Sequence, residues 1–123
     1  GIHAEPRTGH PGVWIGPDSP TPRKLGALGL RVERGVTYHG IALNITTRLD
    51  DFALIDPCGM AGLDVTSVAR ELGWQGPAAE PSTERVEEAG AWYAESFRAR
   101  LDAAVEASQE QRGRTPRPAS AGV

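Results

Sequence analysis

Two residue types in this sequence could do covalent chemistry together, a cysteine and a lysine. Cys58 is the only cysteine of the 123 residues and sits in the run Ile55-Asp56-Pro57-Cys58-Gly59-Met60. Pro57 fixes its own φ and restricts Asp56, while Gly59 allows backbone angles closed to branched residues, so the run reads as a bend. A sulfur on a bend reaches a surface or cleft more readily than one inside a strand. A free cysteine is more often a small buried hydrophobe than a nucleophile. As a nucleophile it must be a thiolate, and a thiol of pKa about 8.5 is mostly protonated at neutral pH. A nearby ammonium favours the thiolate. Lys24 is the candidate, because it opens an apolar strand whose neighbour leads toward the cysteine loop.

The elements that must position this pair follow from the local pattern. Leu25 to Glu33 and Val36 to Ile45 read as paired strands, with Arg34-Gly35 at the turn. Leu28, Leu30 and Val32 alternate with Gly29, Arg31 and Glu33, the period of a half-buried strand. In the second strand the phase breaks: Val36 and Tyr38 are even, Ile41, Leu43 and Ile45 odd. The switch at His39-Gly40 predicts a bulge. Asn44 is expected to pin a loop, and the role of His39 stays open between structural and site-proximal.

Three blocks in order carry a family resemblance. Arg23-Lys24-Leu25-Gly26-Ala27-Leu28-Gly29-Leu30-Arg31-Val32 resembles the lysine strand of the lipoyl(octanoyl) transferases. Val36-Thr37-Tyr38-His39-Gly40-Ile41-Ala42-Leu43-Asn44 resembles their His-Gly-x-Ala-Leu-Asn strand, and Pro57-Cys58-Gly59 their catalytic loop. The resemblance runs from about Gly12 to Gly73. It implies an α/β (α+β) fold: a mixed sheet with packed helices, related to the biotin/lipoate ligase catalytic domain. It implies that Cys58 and Lys24 are catalytic, with Lys24 lowering the thiol pKa and shuttling a proton. It also implies acyl binding along Ala27-Leu28-Gly29 and Gly40-Ile41-Ala42, with His39 and Asn44 beside them. The implied reaction moves an octanoyl group from octanoyl-acyl carrier protein, through a cysteine thioester, to a lysine of a lipoyl domain. The acceptors would be the lipoyl domains of 2-oxoacid dehydrogenase complexes and the glycine cleavage H protein. No cofactor is needed, since thioester to thioester is nearly isoenergetic and thioester to amide runs downhill.

Two further features of the family pattern bear on alternatives. An Arg-Gly-Gly and a His-Gly-Pro-Gly segment precede these blocks in the family and do not occur here, and Gly1 is not a methionine. The chain is therefore expected to be a C-terminal part of the catalytic domain, from a fragment or a partial gene reading. One alternative is an inactive fragment or binding scaffold. Another is an ATP-dependent lipoate or biotin ligase relative, which would not need the Cys58 loop.

The remaining chain is read from composition. Gly1 to Pro11 looks irregular, Val13-Trp14-Ile15-Gly16 is a short apolar run that reads as a strand, and Pro17 to Pro22 a turn. Thr46 to Asp51 reads as a loop before a turn at Phe52 to Leu54. Asp64 or Thr66 could cap a short helix carrying Val65, Val68, Ala69 and Leu72 and stopped by Gly73. Trp74 to Pro81 is a linker. A helix starting near Ser82 or Thr83 would present Val86, Ala89, Tyr93, Phe97, Leu101 and Val105, with Gly90 costing about 1 kcal/mol relative to alanine. The domain is thus expected over residues 1–107, with 108–123 a disordered tail. The formal net charge of −3 gives no electrostatic reason to expect nucleic acid or an anionic membrane as partner. No apolar run could span a bilayer, and the first fifteen residues lack an apolar signal core. One cysteine suits a reducing, cytoplasmic setting. His3 and His10 lack a second ligand at metal spacing, so no zinc site is expected.

Overall fold

A computed structural model of the chain describes residues 1–54 and 64–114. The chain divides into two compact units, Gly1–Arg85 and the stretch from Val86 onward. Among the described residues, the first unit is built on one five-stranded mixed sheet.

β1 (Glu5–Arg7) and β2 (His10–Ile15) form an antiparallel pair, with Gly9 at φ +75° in the turn. This replaces the irregular opening segment expected from Pro6 and Pro11. Pro6 lies on the outer strand, and Pro11 precedes the first β2 residue paired to β3, so neither removes a bond from the central ladder. β3 (Arg23–Glu33) then runs antiparallel to β2, and β4 (Val36–Leu43) antiparallel to β3. Arg34 (φ +51°) and Gly35 (φ +81°) close the β3–β4 hairpin. Two successive positive φ values give a two-residue turn whose twist matches that of the strands.

β5 (Asp64–Val65) pairs in parallel with the start of β3, Arg23 opposite Asp64 and Lys24 opposite Val65. β2 shares Arg23 and Lys24 with β5, and Gly26 and Ala27 with β4. A strand has two edges, so β4 and β5 must lie end to end along one edge of β3, with β2 along the other. Beyond Ala27 the β2 side of β3 has no partner among the described residues.

Two expectations about the hairpin change. The β3–β4 register is continuous from Gly26↔Leu43 to Glu33↔Val36, so no residue is inserted at His39-Gly40. His39 instead takes φ +72°, a left-handed conformation that histidine adopts more often than most non-glycine residues. The bulge lies elsewhere, in the β2–β3 pairing: Val13 faces Gly26 but Trp14 faces Lys24, leaving Leu25 as the extra residue. The alternation in β3 also does not produce a half-buried strand. Leu28, Leu30 and Val32 are exposed, Leu30 by 68%, because β2 pairs with β3 only as far as Ala27.

The core sits at the other end of the sheet, around Trp14, Leu25, Ile45 and Ala69, with Thr46, Thr66 and Ser67 also buried. After β4 a 3-10 helix covers Leu49–Leu54, absorbing the last part of the expected loop. α1 (Val68–Glu71) is capped by Ser67, whose Oγ accepts from the Arg70 amide at 3.2 Å, rather than by Asp64 or Thr66. Val65 belongs to β5 because the Lys24 carbonyl accepts the Thr66 amide at 2.9 Å, which keeps that stretch extended. Gly73 ends α1 as expected, at φ +66°. Its amide reaches the Arg70 carbonyl (3.1 Å) and that of Trp74 the Ala69 carbonyl (2.9 Å), the paired bonds of a glycine C-cap.

The linker contains a 3-10 turn, Gly76–Ala78, before α2 (Thr83–Arg114). Ser82 caps α2 through its Oγ, which accepts the Arg85 amide at 3.3 Å, while its own amide donates to Thr46 Oγ1 at 3.2 Å. The expected stripe Val86, Tyr93, Phe97, Leu101 and Val105 is present but exposed, with Tyr93 and Phe97 stacked at 5.9 Å. α2 runs on through Ser108 to Arg114, into the stretch expected to lack regular structure. Gln109, Glu110, Gln111 and Arg112 are good helix formers, and no proline occurs between Thr83 and Pro116. Residues 115–123 lie outside the described residues. Among the described residues no helix is long and apolar enough to cross a membrane.

Candidate active site

Lys24 is held at the most constrained point of the sheet. Its backbone lies between β2 and β5, and its carbonyl fixes the Thr66 amide. The bulge at Leu25 turns its side chain toward Trp14, with Nζ 4.8 Å from the ring centroid. The stem passes Gly12, where an added Cβ would lie 3.5 Å from Lys24 Cε. That same Cβ would come within 2.4 Å of the Gly26 carbonyl oxygen, so only glycine, at φ +141°, permits this approach of β2 to β3.

Beside Lys24, Arg23 locks β3 to α1. Its Nε and one terminal nitrogen donate to the two Glu71 carboxylate oxygens, each at 3.0 Å, and the Thr66 hydroxyl donates to the same carboxylate at 2.6 Å. The Glu71 side chain is 14% exposed. The Arg23 hydrogen bonds, with help from Thr66, hold its pKa below the ordinary carboxylate value against the opposing effect of burial. The Glu71 hydrogen bond raises Arg23 in turn.

Cys58, with Pro57 and Gly59, lies outside the described residues. The chain re-enters the described structure at Asp64, the residue opposite Arg23.

The two expected acyl-binding blocks meet rung for rung. Ala27 pairs with Ala42, Leu28 with Ile41, and Gly29 with Gly40; the next rung is Leu30 with His39. Ile41 is half-buried and the other five are exposed. A Cβ on Gly40 would meet no atom within 4 Å, and one on Gly29 only His39 Cβ at 3.7 Å. Their neighbours therefore do not require glycine, and its effect is to leave the strand surface open.

His39 and Asn44 separate. The His39 ring is exposed and lies 5.0 Å from that of Tyr38, whose hydroxyl donates to Glu33 at 3.1 Å. Asn44 works as a bracket: Nδ2 donates to the Thr66 carbonyl (3.0 Å), its amide to the Leu25 carbonyl (3.1 Å), and its carbonyl accepts the Val68 amide (2.8 Å). It ties the end of β4 to the β5–α1 junction next to Lys24. Sequence reasoning missed Trp14, Glu71 and Thr66. Trp14 read only as part of an apolar run, and nothing in the spacing of Arg23 and Glu71, 48 residues apart, announces a pair. Among the described residues, no three His, Cys, Asp or Glu side chains gather to hold a metal.

Known proteins align with this part of the chain. A family model described as the lipoyl protein ligase A/B catalytic domain matches residues 1–91. An octanoyltransferase of Myxococcus xanthus is 51% identical over 81 residues, covering 65% of this chain and 23% of that protein. One from Porphyromonas gingivalis is 49% identical over 74 residues, covering 59% and 15%, and one from Klebsiella pneumoniae 44% over 82 residues, covering 67% and 34%. The chain thus spans about a third or less of the length of these relatives. With the lysine strand, its partner strand and the short β5–α1 segment all inside the matched region, the chain belongs to the lipoyl protein ligase A/B catalytic domain family.

Proposed function

We propose that this chain takes part in octanoyl transfer for protein lipoylation, with Cys58 as acyl carrier and Lys24 as its acid–base partner. The observation that carries the reading is the ladder Ala27↔Ala42, Leu28↔Ile41, Gly29↔Gly40, which continues the strand that holds Lys24. Small residues opposite one another on one face of the ladder give an acyl chain a path close to the backbone, with the Leu28↔Ile41 rung between them turned to the other face. That relatives 44–51% identical to it are octanoyltransferases supports the same reading.

The reaction runs in two balanced steps. The Cys58 thiolate attacks the carbonyl carbon of octanoyl-acyl carrier protein; the bond to the carrier sulfur breaks, and that sulfur takes a proton from the Lys24 ammonium. The neutral amine of a lipoyl-domain lysine then attacks the new thioester. Its excess proton passes to the Lys24 amine, an amide forms, and Cys58 leaves as thiolate. Holding the acyl group on the enzyme between steps means that donor and acceptor proteins need not be bound together. The acceptors are lipoyl domains of 2-oxoacid dehydrogenase complexes and the glycine cleavage H protein, and the setting is cytoplasmic.

The test is intact mass after incubation with octanoyl-acyl carrier protein. An added octanoyl group mapping to the Pro57-Cys58-Gly59 peptide and absent from Cys58→Ala is expected. An adduct that persists in Cys58→Ala would rule out Cys58 as carrier.

A further inference from the structure

We propose that the face of Trp14 is the seat that positions the Lys24 ammonium for its acid–base work, making Trp14 a positioning residue; this rests on the catalytic role proposed for Lys24 above. Trp14 is fully buried, with no exposed surface. Its indole N–H donates to the His10 carbonyl at 2.9 Å, and the His10 ring meets it edge-on at 6.0 Å. The ring is therefore fixed before the lysine arrives.

Three features converge on bringing Lys24 to it. In the register set by Gly12↔Ala27 and Val13↔Gly26, Trp14 would face Leu25; the bulge shifts the pairing so that it faces Lys24. Bulges of this kind re-aim a side chain. Glycine at position 12 lets β2 and β3 approach and leaves room for the lysine stem. Nζ then stands 4.8 Å from the centroid, inside the distance at which the ring quadrupole attracts a cation.

The charged groups nearby do not supply a competing anchor. Glu71 is taken by Arg23 and Asp64 lies 4.0 Å from Arg70, and among the described residues Lys24 makes no ion pair. Arg7, from β1, places its guanidinium 5.1 Å from the same ring. Lys24 and Arg7 thus share one indole, and among the described residues the π face is the partner given for the Lys24 ammonium. A π face attracts the ammonium without taking a directed hydrogen bond from it, whereas a carboxylate would accept one or two of its N–H groups. The ammonium can still give a proton away.

The contact can be tested without changing the size of the ring. Fluorinated tryptophans placed site-specifically at position 14 drain the π face stepwise at nearly constant shape. Two measurements are made on each protein: the NMR shift of the Lys24 ε-methylene, and the rate of octanoyl loading from octanoyl-acyl carrier protein. The unfluorinated protein should show that methylene shifted upfield by the ring current, and the shift should relax as fluorines are added. The loading rate should fall in step, by about fivefold over the series, the size of a partly desolvated cation–π contact. A Lys24 shift at the free-lysine value, or one that fluorination does not move, overturns the contact. A shift that relaxes while loading stays level or speeds up overturns the positioning role. A shift that relaxes with no loading in any protein leaves the seat standing as a contact but overturns both its catalytic purpose and the reading of Lys24.

Discussion

Replacing Glu71 with glutamine probes the lock next to Lys24. The native carboxylate, 14% exposed, accepts two hydrogen bonds from Arg23, itself 29% exposed, and one from Thr66. The amide keeps one acceptor oxygen but turns an N–H toward an arginine N–H. Hydrogen bonds involving a charged group contribute about 1.5–3 kcal/mol each, and an exposed ion pair under about 1 kcal/mol. Arg23 is partly in water, so the lower part of that range applies. A loss of about 2 kcal/mol in unfolding free energy is expected. With an m-value of about 1 kcal/mol/M, the urea midpoint should fall by about 2 M, followed by tryptophan fluorescence. The pH dependence follows from the direction of the Glu71 shift. Its folded pKa lies below the ordinary value of 4.5, so its contribution is complete above that value and is lost as pH falls through the folded pKa. Native and Glu71→Gln proteins should differ at neutral pH and converge in acid. Arg23→Gln and the double variant complete a cycle in which the pair should couple by about 1–2 kcal/mol. Additive variants, or a difference constant down to strongly acid pH, would refute the idea that this carboxylate holds β3 to α1.

Two glycines should behave oppositely. Gly12→Ala drives a Cβ to 2.4 Å from the Gly26 oxygen at a strained φ and should destabilise by about 2 kcal/mol or more in the same urea assay. Gly40→Ala meets open space, so stability should change by less than about 0.5 kcal/mol while octanoyl loading slows if the acyl chain lies there. Asn44→Ala removes the bond to the Thr66 carbonyl and should cost about 1 kcal/mol of stability, with thermal unfolding as readout. Lys24→Arg keeps a cation but loses the removable proton, so Cys58 alkylation should survive better than turnover; equal losses in both would argue against a proton-transfer role.

Local rules made the hairpin and the helix ends legible. Arg34-Gly35, Gly73 and Ser82 announce themselves because turns and caps depend on one or two residues and their own backbone. The phase break at His39 was visible too, but sequence could not say whether the chain would insert a residue or twist one φ. The bulge that matters, at Leu25, is a property of two strands, and neither strand alone encodes which residue is left over. The same limit hid Trp14 beneath Lys24 and Glu71 beneath Arg23. Of the candidate site, the two small-residue blocks were legible as blocks, while their meeting rung for rung follows from a register that only the turn fixes. Burial was the poorest guess. Leu28, Leu30 and Val32 alternate as if one face were covered, and alternation states what a strand would bury, not what is there to bury it.

The division of one edge of β3 between β4 and β5 has a dynamic consequence. At its Arg23 end the strand is flanked on both sides and backed by the buried Trp14 and Leu25. At its Glu33 end it is half of a two-stranded arm, a unit that is marginal by itself in water. Amide exchange along β3 should therefore slow toward the lysine and quicken toward the turn. The lysine proposed to handle the proton stands on stiff ground, while the surface proposed for the acyl chain can yield. A guest lying along that arm would stiffen it, and part of its binding free energy would reappear as protection of amides it never touches.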